Sequence, residues 1–185
     1  SYILLVLEQD DRALELIQNI DHSMECASAW KTCIQIWIQR SRDRQTTDGL
    51  LRALDEIDKI PNREYLLRDM ATTYGELGDV EQGLSVTGMI GHQETKAFTF
   101  TLLVDCLIQQ GNSDRAIELL ELSLLEIQEI PYEFNKVNVM SAAIKCFIQL
   151  GNIDRAKELT ETFTEERPKT QVKRALSMAL RQDEN

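Results

Sequence analysis

The chain has 185 residues, with 20 lysines and arginines against 31 aspartates and glutamates, and a net charge of −11. A surface so acidic repels nucleic-acid phosphates and anionic lipid headgroups, so neither a nucleic acid nor a membrane is expected as a partner. A hydrophobic share of 43% excludes a disordered tail, and 3 prolines with 8 glycines are too few for an all-β chain that must turn repeatedly.

The chain opens on Tyr2-Ile-Leu-Leu-Val-Leu7, far shorter than a membrane span and without a basic leader or small-residue cleavage site. It reads as the cut end of a helix, and the chain as a piece of a longer protein. Ala13, Ile17 and Ile20 then predict a lone second helix, closing a partial unit over about 1–22. Trp30, Cys33, Ile34 and Trp37 mark the first helix of a unit over about 26–60, and Leu50, Leu54 and Ile57 its second. The polar stretch Arg40-Ser-Arg-Asp-Arg-Gln-Thr-Thr-Asp48 between them predicts a solvated loop, about four residues longer than the later turns and lacking their glycine. Its three arginines, Arg40, Arg42 and Arg44, form the densest basic cluster; the alternative reading is a seat for an acidic partner or a phosphate.

Three further units, over about 62–92, 95–130 and 134–167, are anchored on Gly78, Gly111 and Gly151. Eleven, eight, seven and four residues before each glycine stand Leu67, Met70, Ala71 and Tyr74, then Phe100, Leu103, Val104 and Leu107, then Met140, Ala143, Ile144 and Phe147. That spacing makes one stripe of a helix turning every 3.6 residues. Five, nine and twelve residues after the glycines stand Gly83, Thr87 and Ile90, then Ala116, Leu120 and Ser123, then Ala156, Thr160 and Phe163. The first of each trio is small, which lets the second helix lie close against the first. Each glycine suits the left-handed conformation that ends a helix, and the aspartates just after it favour the next helix N-terminus. Pro61, Pro131 and Pro168 fall between units, and a terminal helix over about 169–181 carries Val172, Ala175, Leu176 and Ala179.

Ala71-Thr-Thr-Tyr-Gly-Glu-Leu-Gly-Asp79, Gly111-Asn-Ser-Asp-Arg-Ala-Ile117 and Gly151-Asn-Ile-Asp-Arg-Ala-Lys157 resemble the end of the first helix, the turn and the small anchor of the tetratricopeptide repeat. The resemblance covers nearly the whole chain and implies an all-α fold: a single domain forming a right-handed α-solenoid of antiparallel helix pairs. Val104 and Ile144 stand where the family has a small residue and Gly83 where it has alanine. Of the second-helix anchor spacings of 37, 33, 33 and 40 residues, those of 37 and 40 also overshoot the period of about 34. Other α-solenoids remain open. The family further implies a concave groove lined by first helices, where a peptide or partner helix binds. The corresponding positions are Tyr65, Arg68 and Thr72, then Phe98, Thr101 and Asp105, then Asn138, Ser141 and Lys145. The alternative is that these side chains merely face solvent or pack on neighbouring repeats.

His22 and Cys26, four residues apart, lack a second ligand pair, so no metal site is expected. The four cysteines form no CxxC pair, which predicts a reduced, cytoplasmic protein, and Cys33 on a core stripe with Cys106 and Cys146 beside theirs predict packing roles. Trp30 and Trp37 are assigned to the core. GxSxG, P-loop, GxGxxG and HExxH motifs are all absent. The acidic pairs Asp10-Asp11 and Glu165-Glu166 fall where helix ends need solvation. No catalytic residue and no cofactor is expected. The sequence therefore predicts a protein-interaction scaffold, with a structural or self-associating repeat region as the competing reading.

Overall fold

A computed structural model of the chain describes residues 10–19 and 23–183. The apolar opening 2–7, Ile20 and His22 lie outside the described residues, so the readings made on them have no structural counterpart here. Among the described residues the fold is all helical, with ten α-helices, one short 3-10 turn and no strand. The chain divides into two compact units, Ser1–Val86 and Thr87–Asn185.

In the first unit, α1 (Asp10–Gln18) packs on α2 (Ser23–Arg44) through buried Ala13 and Ile17. Helix α2 pairs with α3 (Asp48–Glu56), which runs into a 3-10 turn at Ile57–Lys59, and also packs on α4 (Glu64–Glu76). The division between units falls in the last turn of α5 (Val80–Gly88).

In the second unit, α6 (Gln93–Gln109) pairs with α7 (Ser113–Gln128), and both pack on α8 (Glu133–Gln149). Helices α9 (Ile153–Thr160) and α10 (Glu166–Asp183) pack against α8 and each other. The His92 imidazole caps α6, accepting from the Thr95 amide at 3.3 Å. Gln93 and Lys96 tie α6 to α7 by reaching the Glu126 carboxylate at 2.6 and 2.8 Å.

The stripes predicted from the glycine anchors are the core. Of the first-helix residues all are buried except Phe100, which is half-buried, and the nine second-helix positions are buried throughout. Trp30, Trp37 and Cys33 are also buried.

The three glycines end their helices with φ of 88°, 75° and 73°. Each closes the same pair of backbone bonds. The Gly78 amide donates to the Gly75 carbonyl and the Asp79 amide to Tyr74; Gly111 donates to Ile108 and Asn112 to Leu107; Gly151 donates to Ile148 and Asn152 to Phe147.

The stretch expected to be a long loop over 40–48 is instead helical through Arg44, leaving a turn of only Gln45, Thr46 and Thr47. Gln45 takes the place of the glycine, with φ of 55°. Its amide donates to the Arg42 carbonyl and that of Thr46 to the Ser41 carbonyl, the same pair of bonds as in the other turns. The four extra residues lengthen the helix by about one turn. Counting back from Gln45 by eleven, eight, seven and four residues gives Ile34, Trp37, Ile38 and Ser41, all buried. The core stripe thus continues one turn past the predicted one and ends on a serine, where the other units have Tyr74, Leu107 and Phe147.

Pro168 likewise does not separate elements. It is the third residue of α10, where the first turn has no hydrogen-bond acceptor for an amide to meet, and it is buried. The terminal helix consequently begins three residues earlier than the sequence predicts.

A Cβ at Gly151 would meet nothing within 4 Å, so the cost of a side chain there is purely one of backbone conformation. Gly151→Ala is expected to lower the unfolding free energy by about 1–2 kcal/mol, and Gln45→Gly to raise it, both read from urea denaturation midpoints.

Candidate functional site

The nine positions that the family resemblance marks for a partner fall on three helices. On α4, helical spacing sets Tyr65, Arg68 and Thr72 along one stripe, away from buried Leu67, Met70 and Tyr74. Tyr65 is 64% exposed, and the Arg68 guanidinium lies over its ring at 5.5 Å from the centroid. The same guanidinium is held by the Asp69 carboxylate at 2.8 Å, and the Thr72 hydroxyl donates to the Arg68 carbonyl at 2.9 Å. An open aromatic ring with a fixed cation on its face can take an apolar side chain and an acceptor together.

The other six positions lie in the second unit, where α6 and α8 pack directly. Phe98 is half-buried, while Thr101 is enclosed at 2% exposure, its hydroxyl donating to the Phe98 carbonyl at 2.7 Å. Thr101 is therefore a packing residue of the α6–α8 seam, not a surface group. The Cys146 thiol of α8 points at that seam, 3.9 Å from the Thr101 carbonyl and 3.8 Å from an Asp105 carboxylate oxygen. Burial, reinforced by the Asp105 charge, pushes this thiol up to about 12, against a smaller opposing effect of Lys145. Asn138 and Lys145 are exposed, and the half-buried Ser141 returns its hydroxyl to the Val137 carbonyl at 2.6 Å. The structure therefore brings Asp105 of α6 together with Cys146 of α8, and the α4 trio belongs to the first unit.

A second feature of this unit escaped the sequence reading. Helices α7, α8 and α9 enclose a cleft of about 290 Å³ floored by Leu124, Ile127, Met140 and Phe163. Its rim carries a two-pronged ion pair, Arg155 to Glu121 at 3.2 and 3.0 Å. On α8 the cleft residues Glu133, Lys136 and Met140 lie on a different face from Asn138, Ser141 and Lys145. The signal was present in Leu119-Leu-Glu-Leu-Ser-Leu-Leu125, which holds more leucines than one helical stripe can bury. Leu122 and Leu125 are left 51% and 58% exposed.

Beside the cleft, Glu133 accepts from the Thr164 and Glu165 amides at 3.1 and 2.8 Å and from the Thr164 hydroxyl at 2.6 Å, which lowers its pKa. Glu161 grips Lys169 and Lys173 of α10 at 2.7 and 2.8 Å, and these bonds hold its carboxyl down to about 2. These carboxylates dock the terminal helix.

Among the described residues, no three His, Cys, Asp or Glu side chains gather as metal ligands, and no helix is long and apolar enough to cross a membrane. Comparison with family models, with curated proteins and with solved structures finds no match.

Because Glu161 has a folded pKa below its ordinary 4.5, the stabilisation that it supplies is present above pH 4.5 and is lost as pH falls towards 2. Glu161→Gln is expected to lower the urea midpoint at pH 7, with the difference from wild type closing over that window. A maleimide at pH 8 is expected to label the half-buried Cys26 well before Cys146, whose thiolate is suppressed; mass spectrometry of tryptic peptides checks the order.

Proposed function

We propose that the chain is a protein-interaction scaffold of tetratricopeptide-like helix pairs stacked as an α-solenoid, binding a peptide or partner helix along its first helices. The observation that carries this reading is the direct packing of α6 on α8, with Asp105 beside Cys146 at 3.8 Å. Side-by-side helices bearing a half-buried aromatic, charges of both signs and the open Asn138 amide supply an apolar anchor and polar contacts along one track. Tyr65 and Arg68 supply the same chemistry on α4.

The competing reading, a self-associating repeat region, draws on Leu122 and Leu125 standing open beside the α7–α9 cleft. Exposed leucines grouped at an apolar cleft suit a second copy of the same surface.

Peptides selected from a displayed library on the intact chain separate the two. If the first-helix track is the site, Phe98→Ala and Lys145→Glu are each expected to weaken the selected peptides about tenfold, while Leu125→Asp leaves them unchanged. A loss confined to Leu125→Asp, with a concentration-dependent dimer in sedimentation that the same substitution abolishes, assigns the function to self-association.

A further inference from the structure

The acidity of the chain is not spread evenly over its helices. Together α8 and α10 hold seven of the 20 lysines and arginines but only three of the 31 aspartates and glutamates. They form a basic strip in a protein of net charge −11. Lys169 and Lys173 are taken up by Glu161 at 2.7 and 2.8 Å. The Glu133 carboxylate is turned to the Thr164 and Glu165 amides of the link into α10. Lys145, Arg167 and Arg174 are exposed and meet no carboxylate among the described residues.

Helix α10 docks by a narrow edge: of its 18 residues only Pro168 and Val172 are buried. At 3.6 residues per turn, Arg167, Arg174 and Met178 share one stripe on the side opposite Val172. On α8 the same steps of seven and four residues give Phe134, Ser141 and Lys145, clear of buried Met140, Ile144 and Phe147. The two stripes meet at their N-terminal ends, where the Arg167 guanidinium lies over the Phe134 ring at 5.6 Å from its centroid. Each of these is the second residue of its helix, and the helices pack on each other, so both stripes follow one seam. Phe134 and Met178, each 55% exposed, stand as large apolar side chains among the cations.

We infer that this face of α8 and α10 docks an acidic amphipathic helix of a partner protein. Phe134 and Met178 take its apolar side chains, and Lys145, Arg167 and Arg174 its carboxylates. From Arg167 to Met178 the strip runs about 16 Å, or three turns of a helix laid along it. A nucleic acid or an anionic membrane would meet the same cations, but each is wide enough to meet the surrounding acidic surface as well, which repels it. A single helix covers the strip alone. Because Lys145 belongs to both, the inference rests on the partner-binding reading of α8, and it adds α10 and the sign of the partner's charge.

The probe is a fluorescein-labelled helical peptide about four turns long, with leucines at every third and fourth position and glutamates flanking them. Its binding to the intact chain is read by fluorescence polarisation and is expected to be saturable. Changing its leucines to serine, and Arg174→Glu or Lys145→Glu in the chain, are each expected to weaken it about tenfold. Arg12→Glu, which reverses an exposed charge in the first unit, is expected to leave it unchanged. Equal urea midpoints check that these exposed substitutions keep the fold. Weakening by Phe98→Ala but not by Arg174→Glu overturns the inference and leaves the track on α6 and α8 standing. Weakening by Arg174→Glu and Lys145→Glu but not by Phe98→Ala supports the inference and removes α6 from the track. No saturable binding, equal weakening by Arg12→Glu, or co-sedimentation with phosphatidylserine vesicles in place of peptide binding also overturns it.

Discussion

Everything in this fold depends on one backbone constraint, a single left-handed residue that ends the first helix of each pair. The pair of hydrogen bonds it closes allows the chain only three residues before the next helix starts. With the turn that short, the phase of the second helix follows from that of the first, and both apolar stripes come to bear on the same interior. Glycine adopts the conformation without steric cost in three units, and Gln45 adopts it in the earlier one because burial on both sides of the turn outweighs the local penalty.

The interior between helices is quieter electrostatically than so charged a sequence suggests. Buried hydroxyls return to their own helix: Thr99 to the Thr95 carbonyl, Ser123 to Leu120, Thr160 to Lys157. Small polar residues can therefore sit in the core without demanding a partner from the facing helix. Charge is used at the borders, where Glu126 ties α6 to α7, Glu121 clasps Arg155, and Glu133 and Glu161 hold α10. Against this pattern Ser41 and Trp37 stand out as buried donors that no local acceptor meets.

The candidate partner face was legible only in part. Helical spacing placed Tyr65, Arg68 and Thr72 together because those residues share one helix, and the structure leaves that stripe accessible. Thr101 is enclosed because exposure at that position depends on how near α8 approaches, and the Cys146 thiol of α8 lies 3.9 Å from its carbonyl. The α7–α9 cleft arises between helices, so its walls come from segments with no sequence relation to one another. Only the surplus of leucines in α7 hinted at it.

Sequence alone determined the helix-turn-helix units, the residues of their stripes and the turns at Gly78, Gly111 and Gly151, because apolar periodicity and glycine chemistry act over a few neighbouring residues. Tertiary structure decided that 40–44 is helix and that Gln45 serves as its cap. It also set Ser41 where its counterparts are large. Polar residues carry no strong local preference between loop and exposed helix. Packing of Trp37, Ile38 and Ser41 against neighbouring segments, a contact among residues distant in the chain, therefore chose the helix.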